Sequence, residues 1–481
     1  MFNFKMMIGD ELIHRIQQHF GFIPTPEQKE AISIFSQFIT DRDMHTLMIL
    51  RGSAGTGKTV LSGAIVKAMN AMKQKVILLA PTGRAAKVFS LNSNGHPAFT
   101  IHRKIYRQRT FEETGGIFNI NDNLHTDTLF LIDEASMVAN AQIGDTAFGS
   151  GCLLDDLVRY VYQGRNCRMM LIGDKAQLPP VGESESPALL SDVMQGYALK
   201  VYECDLNEVL RQNRDSGILY NATLIRRMIT HDTQPYLPRI RFATFADITP
   251  VSGSDLIESL GSSYAEVGAD ETIVITRSNK RANIFNRGIR ASVLGYEEML
   301  TGGEMLMIVK NNYHFTQQEK SPITFLANGD RACVQRVRNE HEAYGLHFAE
   351  VWLQLPDYDN YELQATVVLD SLFTESPALT PEQNEKLYQQ VMDDYSDIPL
   401  KTDRIKRIKS DRYFNAVQIK YAYAITCHKA QGGQWEHVYL DQGYITNEML
   451  TPDYLHWLYT AFTRARTKLF LINWLEKQVE T

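Results

Sequence analysis

The chain has 481 residues, 44% of them hydrophobic and 22% charged, with a formal net charge of −7. This is ordinary globular composition with room for about three domains, and it excludes a uniformly basic nucleic-acid binder, so any nucleic-acid site has to be a local groove. The five cysteines, Cys152, Cys167, Cys204, Cys333 and Cys427, are scattered without a C-x-x-C pair, which argues for reduced thiols and against a zinc or iron–sulfur centre.

The opening stretch "MFNFKMMIGDELIHRIQQHF" lacks the long apolar segment of a signal peptide, and Ile8, Leu12, Ile13, Ile16 and Phe20 fit one face of a helix. No run approaches the roughly 18 apolar residues of a membrane span. The expectation is a soluble, cytoplasmic protein without a membrane partner. Next comes "TPEQ", Thr25–Gln28, which reads in two ways. Thr25 suits an N-cap, with Pro26 at the first helical position and Gln28 closing a capping box. Alternatively, the Gln28 carboxamide pairs with N6 and N7 of adenine. The same letters recur at Thr380–Gln383, where nothing suggests a nucleotide, and on local grounds the cap is favoured.

Leu47-Met48-Ile49-Leu50 reads as a short strand and Val60 to Met72 as a helix, with "GSAGTGKT" between them. The pattern is G-x-x-x-x-G-K-[ST]. Gly52, Gly55 and Gly57 let the backbone turn tightly, so that N–H groups of Gly52, Ser53, Ala54, Gly55, Thr56 and Gly57 converge on an anion at a helix N-terminus. Lys58 reaches phosphate oxygens, and the Thr59 hydroxyl suits Mg²⁺. An accidental glycine turn does not explain the strand before and the helix after.

Further strands, "KVILLA" (75–80), "TLFLID" (128–133) and "RMMLIGD" (168–174), alternate with helical stretches, as in a parallel sheet covered on both faces. Residues 104–128 break the rhythm. There, two short strands flank Glu113-Thr114-Gly115-Gly116, a hairpin carrying Tyr106, Phe111 and Phe118. Asp133 ends its strand where a carboxylate can hold Mg²⁺, and Glu134 beside it can act as base toward the attacking water. "LIGDKAQLPPVG" repeats the layout with Asp174 and Gln177; the bland reading is a proline-rich turn. Arg211 in "LNEVLRQN" and Arg464 in "YTAFTRARTK" are of the type that stabilises γ-phosphate charge, although an arginine alone is usually a surface residue. A second α/β region is expected from Val201, with a strand at 272–279 and a resumption at "AVQIKYAYAIT" (416–426). Between them, residues 303–411 read as an insertion with β-like stretches, an acidic helical stretch from Thr380 and a basic run at 401–412.

Together these stretches resemble the superfamily-one DNA helicases, in particular the RecD-like branch and the phage Dda-type helicases. "TPEQ" is similar to the Q motif, "GSAGTGKT" to motif I, "APTGRAAK" (80–87) to motif Ia and "TIHR" (100–103) to motif Ib. "DEAS" resembles motif II, "GDKAQLPPVG" motif III, "LRQN" (210–213) motif IV, "YAYAITCHKAQGGQWEHV" (421–438) motif V and "LYTAFTRAR" (458–466) motif VI. Motif V departs from the pattern, with Gln434 where a glutamate is usual, and the segment Asn140 to Gly151 is atypical.

The resemblance implies an α/β fold: two RecA-like parallel-sheet motor domains, a small β-hairpin pin insertion and an SH3-like β-barrel insertion. The implied domains are 1–103 with 129–200, the pin at 104–128, 201–302 with 412–481, and the barrel at 303–411. It reverses the local preference at Gln28, which would bind adenine, and at Gln177, which with Arg211 and Arg464 would sense the γ-phosphate. Lys58, Thr59 and Asp133 would hold ATP and Mg²⁺, with Glu134 as base. Pro81, Thr82, Arg84, His102, Thr426 and His428 would line a single-strand channel, and Phe118 is the first choice for a wedge at the duplex junction. The implied activity is ATP-dependent 5′-to-3′ translocation on single-stranded DNA and unwinding of tailed duplex DNA. The alternatives are a protein-displacing translocase that unwinds weakly and a nucleotide-switched nucleic-acid-binding module.

Overall fold

Thr46–Gly52 is buried at every position, as expected of a strand with neighbours on both sides and helices on both faces. In the computed structural model it lies inside a six-stranded sheet with the order 98–100, 75–80, 128–132, 168–173, 46–52, 200–206. Every pairing in this sheet is parallel, with Ile49 opposite Leu171 and Leu131 opposite Met170. The structure describes all residues except 1, 109–117, 142–147, 209–214, 313, 315–322, 324 and 481, and only the backbone of 2–7 and 401. The chain divides into two compact units. One holds most of the first 238 residues together with Asn447–Thr463; the other holds Arg239–Thr446 and Arg464–Thr481.

In the first unit the N-terminal helix Phe2–Phe20 buries Leu12, Ile16 and Phe20 with Phe35, Leu61, Ile65 and Met48; of the face read from the sequence, Ile13 is half-buried and Ile8, near the helix start, is exposed. The boundary expected at 200 is displaced. Lys200–Leu206 pairs with the central strand, Cys204 opposite Leu50, and the helix Gly217–Thr230 stays with the same unit. This edge strand is exposed or half-buried except at Cys204 and Leu206, and its local pattern does not say which sheet it joins.

The second unit contains a five-stranded parallel sheet in the order 424–426, 272–276, 435–441, 465–472, 248–251. It also contains a closed barrel of Met305–Ile308, Arg331–Ala343, Leu346–Leu355, Tyr361–Val368 and Val417–Tyr421. The apolar run 416–426, expected to serve the second sheet alone, is shared between the two. Leu306 faces Tyr421 and Val367 faces Val417 in the barrel, while Ala424–Thr426 pairs with Val274–Thr276. The buried Asn286 amide holds the break, donating to Tyr421 O (3.2 Å) and Ala424 O (2.9 Å) and accepting from Ala424 N (2.8 Å). The barrel therefore ends beyond the expected position 411. Helices Pro381–Asp394 and Lys401–Ser410 bury Leu387, Val391 and Ile408 with Leu346, Phe348 and Val368. Among the described residues no helix is long and apolar enough to cross a membrane.

Candidate nucleotide site

The nucleotide loop grows from the C-terminal end of the central strand and runs into the helix Lys58–Ala71. Gly57 sits at φ +84°, a conformation that a side chain strains. At Gly52 a Cβ would meet Thr56 Oγ1 at 2.7 Å and Leu206 Cβ at 3.0 Å. The Thr56 hydroxyl donates to Ser53 O (2.8 Å), closing the loop on itself. The Lys58 ammonium donates to Gly52 O (2.5 Å) and Ser53 O (3.0 Å), Thr59 is exposed, and Ser53 Oγ is buried without a partner.

The strand Arg168–Gly173 lies between the loop's strand and Thr128–Ile132, so three strand ends stand side by side. Asp133 follows Ile132, its amide donating to Leu79 O (3.0 Å) and its carboxylate accepting from Glu134 N (2.9 Å). Burial and the neighbouring Glu134 charge raise the Asp133 pKa above the carboxylate range, opposed by Lys58. Glu134 takes the left-handed conformation at φ +51°, an uncommon one for a residue with a side chain. Asp174 begins the third loop. Its Oδ1 accepts from Ala176 N (3.0 Å) and its carbonyl from Gln177 N (3.2 Å). Gln177 is 6% exposed and its Oε1 has no partner. A buried, unpaired carboxamide oxygen costs about 1–3 kcal/mol and suits a group that completes its bonding with a ligand.

Gln28 unites the two readings of its motif in part. Thr25 N donates to Gln28 Oε1 (3.0 Å) and Gln28 N to Thr25 Oγ1 (3.3 Å), a complete capping box. Its Nε2 also donates to Thr56 O in the nucleotide loop (3.0 Å). At 1% exposure, with both amide ends bonded to protein, Gln28 acts on the loop through Thr56 and does not offer its carboxamide to adenine in this arrangement.

The helix Pro452–Phe462 of motif VI, expected in the second motor domain, belongs to the first unit. The Tyr459 hydroxyl donates to Asp174 Oδ2 (2.6 Å) and accepts from Ala54 N (3.0 Å). Leu178 N donates to Thr460 Oγ1 (2.7 Å) and His456 Nδ1 donates to Ala176 O (3.0 Å). Sequence reasoning passed over these three residues. The signal available was their spacing, 456, 459 and 460, which places them on one helical face.

Arg464 lies in the second unit and is 2% exposed, donating to Gly433 O (3.2 Å). Arg211 lies outside the described residues. Pro81 and Thr82 follow the strand Lys75–Ala80, where Thr82 Oγ1 caps the next helix by accepting from Ala85 N (3.2 Å); Arg84 stands in that helix's first turn. His102 follows the strand Ala98–Thr100. Thr426 ends a strand of the second sheet, and exposed His428 stands just beyond it. All six lie at strand ends, in the turns after them or in the first turn of the helix that follows.

The wedge assignment to Phe118 is corrected. Phe118 is 2% exposed and stacks on Phe148 (4.8 Å), which also contacts Tyr106 and His102 (5.0 Å each). The Tyr106 hydroxyl donates to buried Asp156 (2.7 Å). Phe118 thus fills a small core under the hairpin, where its burial outweighs exposure to a duplex. The hairpin strands Tyr106–Gln108 and Phe118–Ile120 pair antiparallel as expected, and Phe111 with the tip lies outside the described residues.

Residues 24–228 match the model of an AAA domain, and residues 421–472 match that of a UvrD-like helicase C-terminal domain. The two matches, an AAA domain followed by a UvrD-like helicase C-terminal domain, are consistent with the resemblance to superfamily-one helicases. Among its relatives is the ATP-dependent DNA helicase dda of Enterobacteria phage T4, 30% identical over 205 residues, 42% of each chain. The ATP-dependent RecD2 DNA helicase of Deinococcus radiodurans is 33% identical over 138 residues, 28% of this chain and 16% of that one. The chain therefore spans less than half the length of these two curated relatives. A Pif1 helicase from Bacteroides, solved with ADP-AlF3 and single-stranded DNA, superposes with a TM-score of 0.46 at 15% identity, covering 96% of this chain and 95% of that one. The two matched models lie on either side of most of the barrel in the chain.

Proposed function

We propose that the protein is an ATP-dependent DNA helicase that moves 5′ to 3′ on single-stranded DNA and unwinds tailed duplex DNA. The observation that carries the reading is the line of three strand ends holding Lys58 and Thr59, Asp133 and Glu134, and the unpartnered Gln177 oxygen. Lys58 neutralises phosphate charge, Glu134 accepts the proton of the attacking water, and Gln177 reads the γ-phosphate, with Arg211 and Arg464 adding positive charge. Gln28 supports the loop.

A magnesium ion fits the donors present. Thr59 and Asp133 are hard oxygen ligands, and Mg²⁺ is normally held by one or two protein oxygens together with phosphates. Among the described residues no group of three or more His, Cys, Asp or Glu stands ready for a metal. When bound, the ion would neutralise charge on the phosphate oxygens. The named relatives are a DNA helicase of a phage and one of a bacterium, which supports the choice of DNA and of movement over switching. Pro81, Thr82, Arg84 and His102 on the first unit, and Thr426 and His428 on the second, are the proposed strand contacts.

The test is ATPase activity with and without single-stranded DNA, followed by unwinding of duplexes carrying either a 5′ or a 3′ tail. Stimulated ATPase with unwinding of the 5′-tailed duplex is expected. Stimulation without unwinding would favour the protein-displacing translocase, and nucleotide-dependent binding without turnover would favour the switch.

A further inference from the structure

The helix Pro452–Phe462 touches the loop after Asp174 at three successive points: Asp174 Oδ2 through Tyr459, Ala176 O through His456, and Leu178 N through Thr460. Gln177 stands among these points, its backbone amide donating to Asp174 O (3.2 Å) and its carbonyl 3.3 Å from His456 Nδ1. Tyr459 does one thing more, because its hydroxyl also takes the Ala54 N–H of the nucleotide loop. One oxygen, 1% exposed at the level of the residue, thus joins the two loops that face the γ-phosphate in the proposed function. The geometry points to Tyr459 as a positioning residue for ATP hydrolysis: it fixes the distance between the Gln177 loop and the nucleotide loop. This inference rests on the ATPase reading above.

Charge and geometry explain why a tyrosine suits the place. A buried carboxylate such as Asp174 needs donors, and Tyr459 O–H supplies one on Oδ2 while Ala176 N supplies the other on Oδ1. The phenol oxygen then offers a lone pair to Ala54 N, an arrangement that phenylalanine cannot reproduce. Since Gln177 has no side-chain bond of its own on Oε1, its aim depends on the loop that carries it. Ground-state phosphate binding by Lys58 does not use that loop. Loss of the Tyr459 hydroxyl should therefore appear more strongly in turnover than in nucleotide affinity, the signature of an interaction needed in the transition state.

The experiment uses the full chain and compares wild type, Tyr459→Phe, Asp174→Asn and the double variant. It measures kcat of the DNA-stimulated ATPase, the Kd of a fluorescent ADP and the melting temperature. Tyr459→Phe is expected to lower kcat about 10-fold or more, since misplacing a reacting group by about 1 Å costs up to about 10²-fold, with Kd changed less than about 2-fold. The double variant should lose no more than Tyr459→Phe alone, because both single variants break the Tyr459–Asp174 bond, Tyr459→Phe removing the Ala54 bond as well. Asp174→Asn keeps the acceptor for Ala176 N and serves if Tyr459→Phe folds poorly. Unchanged kcat in both single variants overturns the inference, and so does a parallel loss of kcat, affinity and melting temperature. Absence of ATPase in wild type would overturn the proposed function itself, a result separable from either of these.

Discussion

The motif TPEQ occurs twice, and the two copies fold alike. Thr380 N donates to Gln383 Oε1 (2.9 Å) and Gln383 N to Thr380 Oγ1 (3.2 Å), matching the box at Thr25 and Gln28 bond for bond. The difference lies in what surrounds them. Gln383 is half-buried on a helix beside the barrel, whereas Gln28 is sealed and passes an amide hydrogen to Thr56 O. Four identical letters specify a helix start in both places, and tertiary context adds a second task to one of them. A local motif and a functional motif are therefore not alternatives at Gln28; the cap is what aims the amide.

The comparison can be calibrated from above. Glu134→Gln should bind nucleotide near normally and lose about 10²–10⁴-fold in turnover, the range for a general base, and Lys58→Ala should abolish hydrolysis. Nucleotide binding and steady-state turnover read both, and near-normal turnover in Glu134→Gln would remove it from the base role. Gln28→Glu comes next. It keeps an oxygen for Thr25 N but loses the donor to Thr56 O, so turnover or affinity should fall about 10-fold, corresponding to about 1.4 kcal/mol, as for one buried hydrogen bond. If this variant behaves as wild type, the link to the loop has no functional weight and the two motifs are equivalent.

Thr25→Ala and Thr380→Ala should each cost about 0.5–2 kcal/mol of local helix stability, read by hydrogen exchange of the first helical turn. Only Thr25→Ala should also weaken nucleotide binding; equal effects on binding would break the comparison. Gln383→Ala should have the smallest effect, below about 1 kcal/mol locally, with ATPase unchanged.

What was legible in the sequence follows the same division. The loop at Gly52–Thr59, the carboxylates after Ile132 and the strand before Asp174 are written locally, in apolar runs ended by polar residues, and the structure sets them on neighbouring strands of one sheet. Partners distant in the chain are not written locally. Lys200–Leu206 could have joined either sheet. The run 416–426 has no breaker residue, and its division depends on Asn286, more than a hundred positions away. Phe118 looked available because an aromatic residue after a glycine turn resembles a wedge, but Phe148, from a separate loop, covers it. Tyr459 stood inside a recognised motif whose arginine drew the attention.

The bond from Tyr459 to Asp174 spans 285 positions, and this has a bearing on synthesis. All six strands of the first sheet lie before position 207, so that sheet can assemble while the remainder is still being translated. The helix Pro452–Phe462 that bonds to these loops is made long after the sheet. At about 5–20 residues per second, some ~15–60 s separate Asp174 from Tyr459 on the ribosome. A nascent chain, or one terminated before residue 459, would display the nucleotide loop without its buckle.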